Sequence, residues 1–511
     1  MTVEEFKADP TKHRHPAYQN SLFSAVAPEY STGEVLLGSA YRRLLLDMRD
    51  SEVELDHVSE LPGDVPPEFG GKELWTDLLL TRGGIESPLR GGQYGSALSR
   101  QLMPIVPAVA RTACVLGKKT RSRWYPANLL MEVIGGGMGD TGAKSLVESF
   151  GSALNVDDND DLFARFISRA LEAISAPPTV PPYTSIVPTD EDLHAYRGHV
   201  PSSSKLSPAE RFCEDISGVL ELKSQLTRRQ WTVLVEASLR LGLGMHVLWL
   251  CQLNLLAWEL VLATASGKAI PAESKIESLL WESHCESQPL LEIGQNSEPM
   301  LKQLIERYAH ARLGLNLLFC KLDEAGVGWD SSVTIGFSKQ AGTSAASSIR
   351  TFLEHLSNNR ASIDANPEAW LRKQCAELMD VTPTIRELAR CGTGFTKNLF
   401  EFARHSLGQI KAKNIEQKSY DQSYLIAYPG GKSQPVQPGP AMLILLVHTC
   451  CKAQRGIPAS LEDLRRHLSH YGLRTPTGEL GEGRVGSDLE KLGLVVDSPD
   501  AAGGRMLVAP F

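Results

Sequence analysis

Apolar residues recur at helical spacing through most of the second half of this 511-residue chain. Between residues 208 and 322 they return every three or four positions, which predicts helices over 208–226, 228–241, 245–265, 275–282 and 298–322. The same spacing resumes over 349–356, 367–379 and 396–407. This succession is typical of a helical bundle, and the fold class that it predicts is mainly α.

The last seventy or so residues carry a more specific order of elements. Ala441–His448 is an apolar helix, and Ser460 begins a second helix through a capping box in which Asp463 replaces the usual Glu or Gln. A turn rich in Gly, Thr and Pro over 472–483 leads to a third helix, Arg484–Leu492. Its inward side chains are expected to be Val485, Leu489 and Leu492.

Two short apolar segments close the chain. Leu494–Val496 and Met506–Val508 flank a loop that holds Asp, Ser, Pro and Gly, which predicts a β-hairpin. Three helices followed by a hairpin is the order of a winged helix, a module that docks on DNA or on protein. We therefore expect a mainly α, multidomain protein with a C-terminal winged-helix domain.

Composition changes sharply between residues 176 and 208, where Pro and Ser are dense. Such a stretch disfavours regular helix and predicts an extended linker. The expected parts are an N-terminal mixed but mostly helical domain, this linker, a helical bundle, a helical region with a basic and aromatic stretch, and the winged helix. Their boundaries are 1–175, 176–208, 209–330, 345–435 and 436–511.

Residues 241–265 are apolar and numerous enough to cross a bilayer, but His246, Gln252, Asn254 and Glu259 interrupt them. Polar groups are costly in hydrocarbon, so we expect a buried core helix and no contact with a membrane. The start of the chain is acidic without an apolar run, and nine cysteines show no CxxC or paired spacing. Both features predict a cytoplasmic protein with reduced thiols.

Overall composition narrows the function classes. Hydrophobic residues at 42% and charged residues at 22% are typical of a globular chain. The formal net charge of −8 argues against a protein coated in nucleic acid, while it leaves room for local basic patches.

Residues 135–145 form a Gly-rich run that approaches the phosphate-binding motif G-x-x-x-x-G-K-[ST]. Ala143 separates Gly142 from Lys144, which moves the ammonium group by one residue. We expect instead a helix that stops at Gly135 and a second helix capped by Asp140 or Thr141. The histidines and cysteines lack the spacing of a zinc site. No cofactor and no metal are therefore predicted, although an enzyme with a nucleotide or metal site in residues 1–175 stays an alternative.

Two basic stretches interleave cations with aromatic residues, a combination that suits contact with phosphates and unpaired bases. The first runs from Lys118 to Tyr125 and offers four candidate DNA contacts, Lys118, Lys119, Arg121 and Arg123. The second runs from Lys397 to Lys432 and offers Lys411 and Lys413. The alternative for both is a solvated helix face whose aromatic residues belong to the core.

The predicted winged helix offers four further candidates. Arg484 and Ser487 stand at the start of the third helix, where major-groove readers place base contacts. Arg465 lies on the second helix and Arg505 on the hairpin. Nearby carboxylates, among them Asp497 and Asp500 at the wing tip, oppose phosphate binding, so a purely protein-docking winged helix stays equally open.

Phe395–Phe402, Asp421–Leu425 and Pro438–His448 resemble segments of large helical bacterial proteins from anti-phage defence or DNA-modification-linked restriction operons. The resemblance covers residues 395–511 at most and carries no catalytic residue across. It implies a non-catalytic, DNA-associated subunit that works beside enzymes encoded elsewhere. The expected function is thus DNA binding within a multi-protein defence or DNA-processing assembly, with DNA and other protein subunits as partners. A protein-docking scaffold is the second hypothesis.

Overall fold

The computed structural model describes residues 2–8, 33–45, 105–107, 126–138, 140–175, 207–282, 288–327, 345–381, 395–409, 421–429, 433–497 and 505–511. These residues are mainly helical, which confirms the predicted fold class at that level. The helices before the longest one are α1 (Val3–Ala8), α2 (Gly33–Leu44), α3 (Pro126–Gly137), α4 (Asp140–Leu154), α5 (Leu162–Ser175) and α6 (Pro208–Leu220). A 3₁₀ turn, Glu221–Ser224, follows α6.

The remaining elements complete the helical body and the C-terminal part. The body continues with α7 (Arg228–Ala265), α8 (Glu273–Glu282), β1 (Leu291–Glu292), α9 (Ser297–Glu324), α10 (Ala345–Asn358), α11 (Arg360–Ile363), α12 (Pro367–Val381) and α13 (Phe395–Leu407). The C-terminal part holds α14 (Pro440–Ala453), α15 (Leu461–His470), β2 (Leu473–Arg474), α16 (Thr477–Gly481), α17 (Arg484–Lys491), β3 (Val495–Asp497) and β4 (Arg505–Leu507).

Helix α7 is the central element. Thr227 caps its start and forms a capping box with Gln230. The sequence predicted two helices with a break between residues 241 and 245, and this was wrong, because α7 runs unbroken through Gly242 and Gly244. At both positions a neighbour occupies the space that a Cβ would need, the Phe212 ring and the Leu407 side chain respectively. The glycines therefore permit close packing, which offsets their cost of about 1 kcal/mol each in a helix.

Among the described helices, α7 is the one long and apolar enough to cross a bilayer by length and composition. Of its most apolar 18-residue window, 89% is buried against the rest of the protein. Helices α2, α6, α9, α10, α13 and α14 pack around it. The sequence predicted a buried core helix over residues 241–265, and a helix of that kind is buried to this extent.

One hydrophobic core extends from Leu36 to Leu507. Helices α2, α3 and α4 share it with α6 and α7, and so do buried residues of the C-terminal part such as Leu464 and Leu489. Residues 176–206 lie outside the described part, so the proposed linker and the domain boundaries stay predictions.

Two buried arginines of α7 donate hydrogen bonds to the C-terminal ends of other helices. Arg228 donates to the carbonyl oxygens of Ala153 at 3.1 Å and of Leu154, at the end of α4. Arg240 donates to the carbonyl of Ser406 at 2.7 Å, at the end of α13, and it pairs with Asp421 at 2.8 Å. The last carbonyls of a helix lack partners within the helix and carry partial negative charge, so a buried guanidinium satisfies both deficits.

The Gly-rich run lies in helices. Helix α3 continues to Gly137, two residues beyond the predicted end at Gly135. Helix α4 includes Asp140 as its first residue, whereas the sequence predicted Asp140 or Thr141 as the cap before it. Gly142 and Lys144 are therefore part of the first turns of α4. The described residues of this run do not form a phosphate-cradling loop, because most of them lie within α3 and α4.

The C-terminal part joins helices to two small sheets. The capping box of Ser460 and Asp463 is confirmed, and α14, α15, α17 and the hairpin β3–β4 lie within a few residues of their predicted positions. The predicted turn over 472–483 was wrong in part, because it contains β2 and α16. Strand β2 pairs in parallel with β1 of the body. Residues 459–460 lie beside β4, since Ser460 bridges Met506 and Ala459 accepts a hydrogen bond from Leu507.

Candidate nucleic-acid interface

Helix α17 presents one face to the core and one outward. Val485 and Leu489 are buried as predicted, whereas Leu492 is 37% exposed because the helix ends at Lys491 and Leu492 is already its C-cap. Successive helix residues advance by about 100°. The outward face therefore carries Arg484, Ser487, Asp488 and Lys491.

Arg484 is the first residue of α17 and is exposed. Its positive charge acts on the half-buried Tyr424. Burial, with the charge of Asp421, raises the pKa of Tyr424, and the positive charge of Arg484 partly opposes that rise. Arg484 thus lies where a long cation reaches outward from the helix start, with one side turned toward the body of the protein.

The body also contacts the middle of α17. The Gln437 side chain donates from Nε2 to Asp488 Oδ2 at 3.1 Å and is only 7% exposed. Its Oε1 atom has no hydrogen-bond partner among the described residues. The backbone of Gln437 is also held in place, because its N–H donates to the carbonyl of Leu425 at 2.8 Å. Residues 421–429 and 433–437 therefore form a small body segment against one side of the third helix.

Carboxylates outnumber cations around α17. Residues 479–491 hold Arg484 and Lys491 against Glu479, Glu482, Asp488 and Glu490. Glu479 also occupies the start of the helix, since its Oε1 accepts from the Val485 N–H at 3.4 Å. A carboxylate at this position uses the positive end of the helix dipole and opposes a phosphate there.

Arg505 connects the hairpin to the helices beside it. It donates to the Gly481 carbonyl at 2.9 Å, lies 3.2 Å from Asp497 Oδ1 and pairs with Glu490. These contacts place its guanidinium among protein acceptors. The predicted phosphate contact from Arg505 would require at least part of this arrangement to be exchanged.

Arg465 of α15 is also engaged. Its Nε and Nη2 donate to the two carboxylate oxygens of Glu462 at 2.8 and 2.6 Å, a bidentate pair. This pairing lowers the pKa of Glu462. Exposed pairs of this kind contribute at most about 1 kcal/mol to stability, so the ion pair with Glu462 holds the Arg465 side chain only weakly.

Most cations of residues 440–511 follow the same pattern. The sequence there has eight Lys or Arg and eight Asp or Glu. Six of the cations form ion pairs, namely Lys452, Arg465, Arg466, Arg474, Lys491 and Arg505. For Arg455 and Arg484 the described residues contain no such pair. The C-terminal part is thus nearly neutral, and Arg484 is its best-placed available cation.

A buried polar cluster fixes this C-terminal part on the body. Asp215 of α6 is 1% exposed and accepts hydrogen bonds from Tyr471 at 2.8 Å, from His467 at 2.9 Å and from Arg211 at 2.9 Å. Burial alone would raise the pKa of Asp215. The charges of His467 and Arg211 with the hydrogen bonds outweigh burial and hold it below its ordinary value. Burial, with the neighbouring Asp215, raises the pKa of Tyr471 well above its ordinary value.

No described contact connects the candidate DNA-binding residues of the two basic stretches to this site. Lys118, Lys119, Arg121, Arg123, Lys411 and Lys413 lie outside the described residues. Of the second stretch, Arg404 is described, and it donates to the Tyr428 hydroxyl at 3.0 Å while its guanidinium stacks near that ring. Phe402 is fully buried. This part of the stretch serves internal packing.

The described residues contain no group of three or more His, Cys, Asp or Glu side chains arranged to hold a metal ion. The sequence matches no protein-family model, and no curated protein is significantly similar to it. Sequence reasoning missed Gln437 at this site, and it counted Asp488 only among the carboxylates that balance the cations. Gln437 lies 51 residues from Asp488 in a Pro-flanked segment, and no local pattern signals the contact.

Proposed function

We propose that residues 440–511 form a winged helix. The support is the order of elements together with the strand pairing. Helix α14, a short extended segment at 459–460, helix α15, the short β2 and α16, helix α17 and a hairpin follow one another. The short segment lies beside the last strand of the hairpin. With the short α16 counted as part of the connection, α17 is the third helix. The third helix of such a module is α17, and its wing is the loop between β3 and β4.

We further propose that this protein is a non-catalytic, DNA-binding component of a multi-protein defence or DNA-processing assembly. One observation carries the DNA part. Arg484 is exposed at the first residue of the third helix, without an ion pair among the described residues, and Ser487 follows on the same outward face. A long cation at this position suits a base edge or a phosphate. The assembly part rests on the resemblance of residues 395–511 described above.

The electrostatics set limits on this binding. The C-terminal part is neutral by residue count, and Arg465 and Arg505 already have carboxylate partners. Each phosphate contact contributes about one unit to the slope of log affinity against log salt concentration. Because one cation is well placed, we expect weak binding with a slope of about one.

A second candidate function is docking on a partner protein. The pairing of six cations favours it, since a neutral, internally paired surface attracts phosphates poorly. Val496 of the hairpin is 51% exposed and Leu492 is 37% exposed, which gives this end of the module an apolar component.

The test is fluorescence anisotropy of the full-length protein with labelled duplex DNA at two salt concentrations. We expect Arg484→Ala to weaken binding by about 1–3 kcal/mol if the arginine contacts a base, and to lower the salt slope by about one if it contacts a phosphate. The matched control is Arg466→Ala, an exposed arginine of the second helix with one weak i,i+3 pair. Equal DNA affinity for all three proteins, with partner capture lost in a Val496→Asp variant, would establish docking instead.

A further inference from the structure

We propose that the body segment of residues 421–429 and 433–437 masks the third helix of the C-terminal module and holds it in a self-inhibited state. This inference rests on the proposed DNA-binding function. Its physical basis is a contact within the chain: Gln437 Nε2 donates a hydrogen bond to Asp488 Oδ2 at 3.1 Å.

The contacted residue lies at one edge of the outward face. With about 100° between successive residues, Arg484 and Asp488 lie about 40° apart, while Ser487 and Lys491 lie on the other side of Arg484. The body segment therefore contacts the Asp488 edge, and Arg484 is the exposed residue next to that edge. The residue best suited to contact DNA is the one beside the covering segment.

Groove dimensions make this contact restrictive. An α-helix with its side chains is about 10–12 Å across, and the major groove of B-DNA is about 12 Å wide. A helix that enters the groove thus fills it and leaves no room for a second segment along its side. Full seating of α17 requires that residues 433–437 separate from Asp488.

The segment is held firmly enough to act as a mask. Gln437 is buried, and its backbone N–H bonds to Leu425. Val436 donates to the Gln295 carbonyl at 2.9 Å, and Ser297 donates to the Gln434 carbonyl at 2.9 Å, so the segment is tied to the start of α9. When the competent state is only a fraction of the population, the apparent affinity falls by that fraction. Masking therefore weakens DNA binding without any loss of a DNA contact.

The decisive variant is Gln437→Leu, because it removes the hydrogen bond to Asp488 at nearly constant side-chain volume and unchanged net charge. We expect it to bind duplex DNA at least about threefold more tightly than the unchanged protein, as the masked fraction falls. The matched control is Gln434→Leu, a change of the same chemistry in the same segment at a position whose tie to Ser297 runs through its backbone carbonyl. Thermal melting establishes that both variants fold.

Hydrogen exchange on the unchanged protein gives a second measurement that needs no variant. If DNA displaces the mask, the amides of Gln434, Val436 and Gln437 exchange faster when DNA is bound, although bound DNA would slow exchange at a surface that it merely covers. Arg484-dependent binding with equal affinity for Gln437→Leu and no faster exchange would overturn the masking alone. Absence of DNA binding by both the unchanged protein and Gln437→Leu would overturn the DNA function and the masking with it. Binding by Gln437→Leu alone would support both.

Discussion

His467 lies 2.9 Å from Asp215, although 252 residues separate them in the sequence. Both side chains are almost completely buried, at 3% and 1% exposure. Asp215 also accepts from Arg211 and Tyr471, so one carboxylate joins α6 of the body to α15 and its C-cap. Asp215 therefore helps to orient the C-terminal module on the body, together with the pairing of β2 with β1.

Removal of this carboxylate should destabilise the protein strongly. Asp215→Ala leaves the Arg211 guanidinium and the His467 ring buried without their main acceptor, and we expect a loss of about 3–5 kcal/mol in the free energy of unfolding. Denaturant unfolding measures it. Glu214→Ala is the matched control, because Glu214 also pairs with Arg211, at 2.7 Å, but its side chain is 51% exposed. A change above about 1 kcal/mol there would contradict the assignment.

The Asp215–His467 pair also predicts how the free energy of unfolding depends on pH. The pKa of Asp215 is lower in the folded protein than its ordinary value of about 3.9. A lowered folded-state pKa contributes stability that is present above the unfolded pKa and is lost as pH falls toward the folded one. The stability gap between the unchanged protein and Asp215→Asn should therefore narrow below about pH 4. A gap that widened on acidification would contradict this sign.

Arg240 should be equally intolerant of change. Arg240→Met leaves Asp421 buried without its ion pair and the carbonyls of Ser406 and Gly408 without a donor, which we expect to cost about 3–5 kcal/mol. The control is Arg229→Met on the exposed side of the same helix, where we expect less than about 1 kcal/mol. Thermal melting of the two variants side by side provides the comparison.

Gly242→Ala tests whether close packing explains the unbroken central helix. The added methyl group would overlap the Phe212 ring, so despite its better helix propensity we expect a loss of about 1–3 kcal/mol. Gly136→Ala in α3 is the matched control, since no heavy atom lies within 4 Å of the added carbon. There the change should be neutral or stabilising by up to about 1 kcal/mol. Equal effects at both sites would refute a packing role for Gly242.

The proposed linker has a simple test. Limited proteolysis of the full chain should cut first near Ser202–Ser204 if residues 176–208 form an exposed, extended connection. First cuts elsewhere, identified by mass spectrometry, would move the domain boundary. The test also decides whether residues 1–175 form a unit that can be separated from the body.

The local parts of this fold were readable from the sequence, and the long-range parts were not. The capping box at Ser460 and Asp463 involves neighbours three residues apart, so its pattern was sufficient. The break predicted near Gly242 failed because intrinsic helix propensity carries no information about Phe212. Leu492 follows the helical spacing of α17 but stands just after its end, so periodicity placed it wrongly inside.

The candidate site shows the same division. Arg484 could be proposed from its position at a helix start, which is a local property. The contact of Gln437 with the neighbouring Asp488 depends on pairing between residues 425–427 and 435–437, which is not a local property. The engagement of Arg505 by Gly481 and Glu490 likewise depends on how the hairpin folds back on α16 and α17.

The position of Arg240 also has a consequence for folding during synthesis on the ribosome. Its partner Asp421 is made 181 residues later, which at about 5–20 residues per second is a delay of roughly 9 to 36 seconds. For most of that interval the apolar surface of α7 lacks α13, and for all of it the surface lacks α14. Arg240 then has only Glu236 of its two carboxylate partners. The central helix of the nascent chain therefore exposes apolar surface for a long period, and chaperones can bind it during that time.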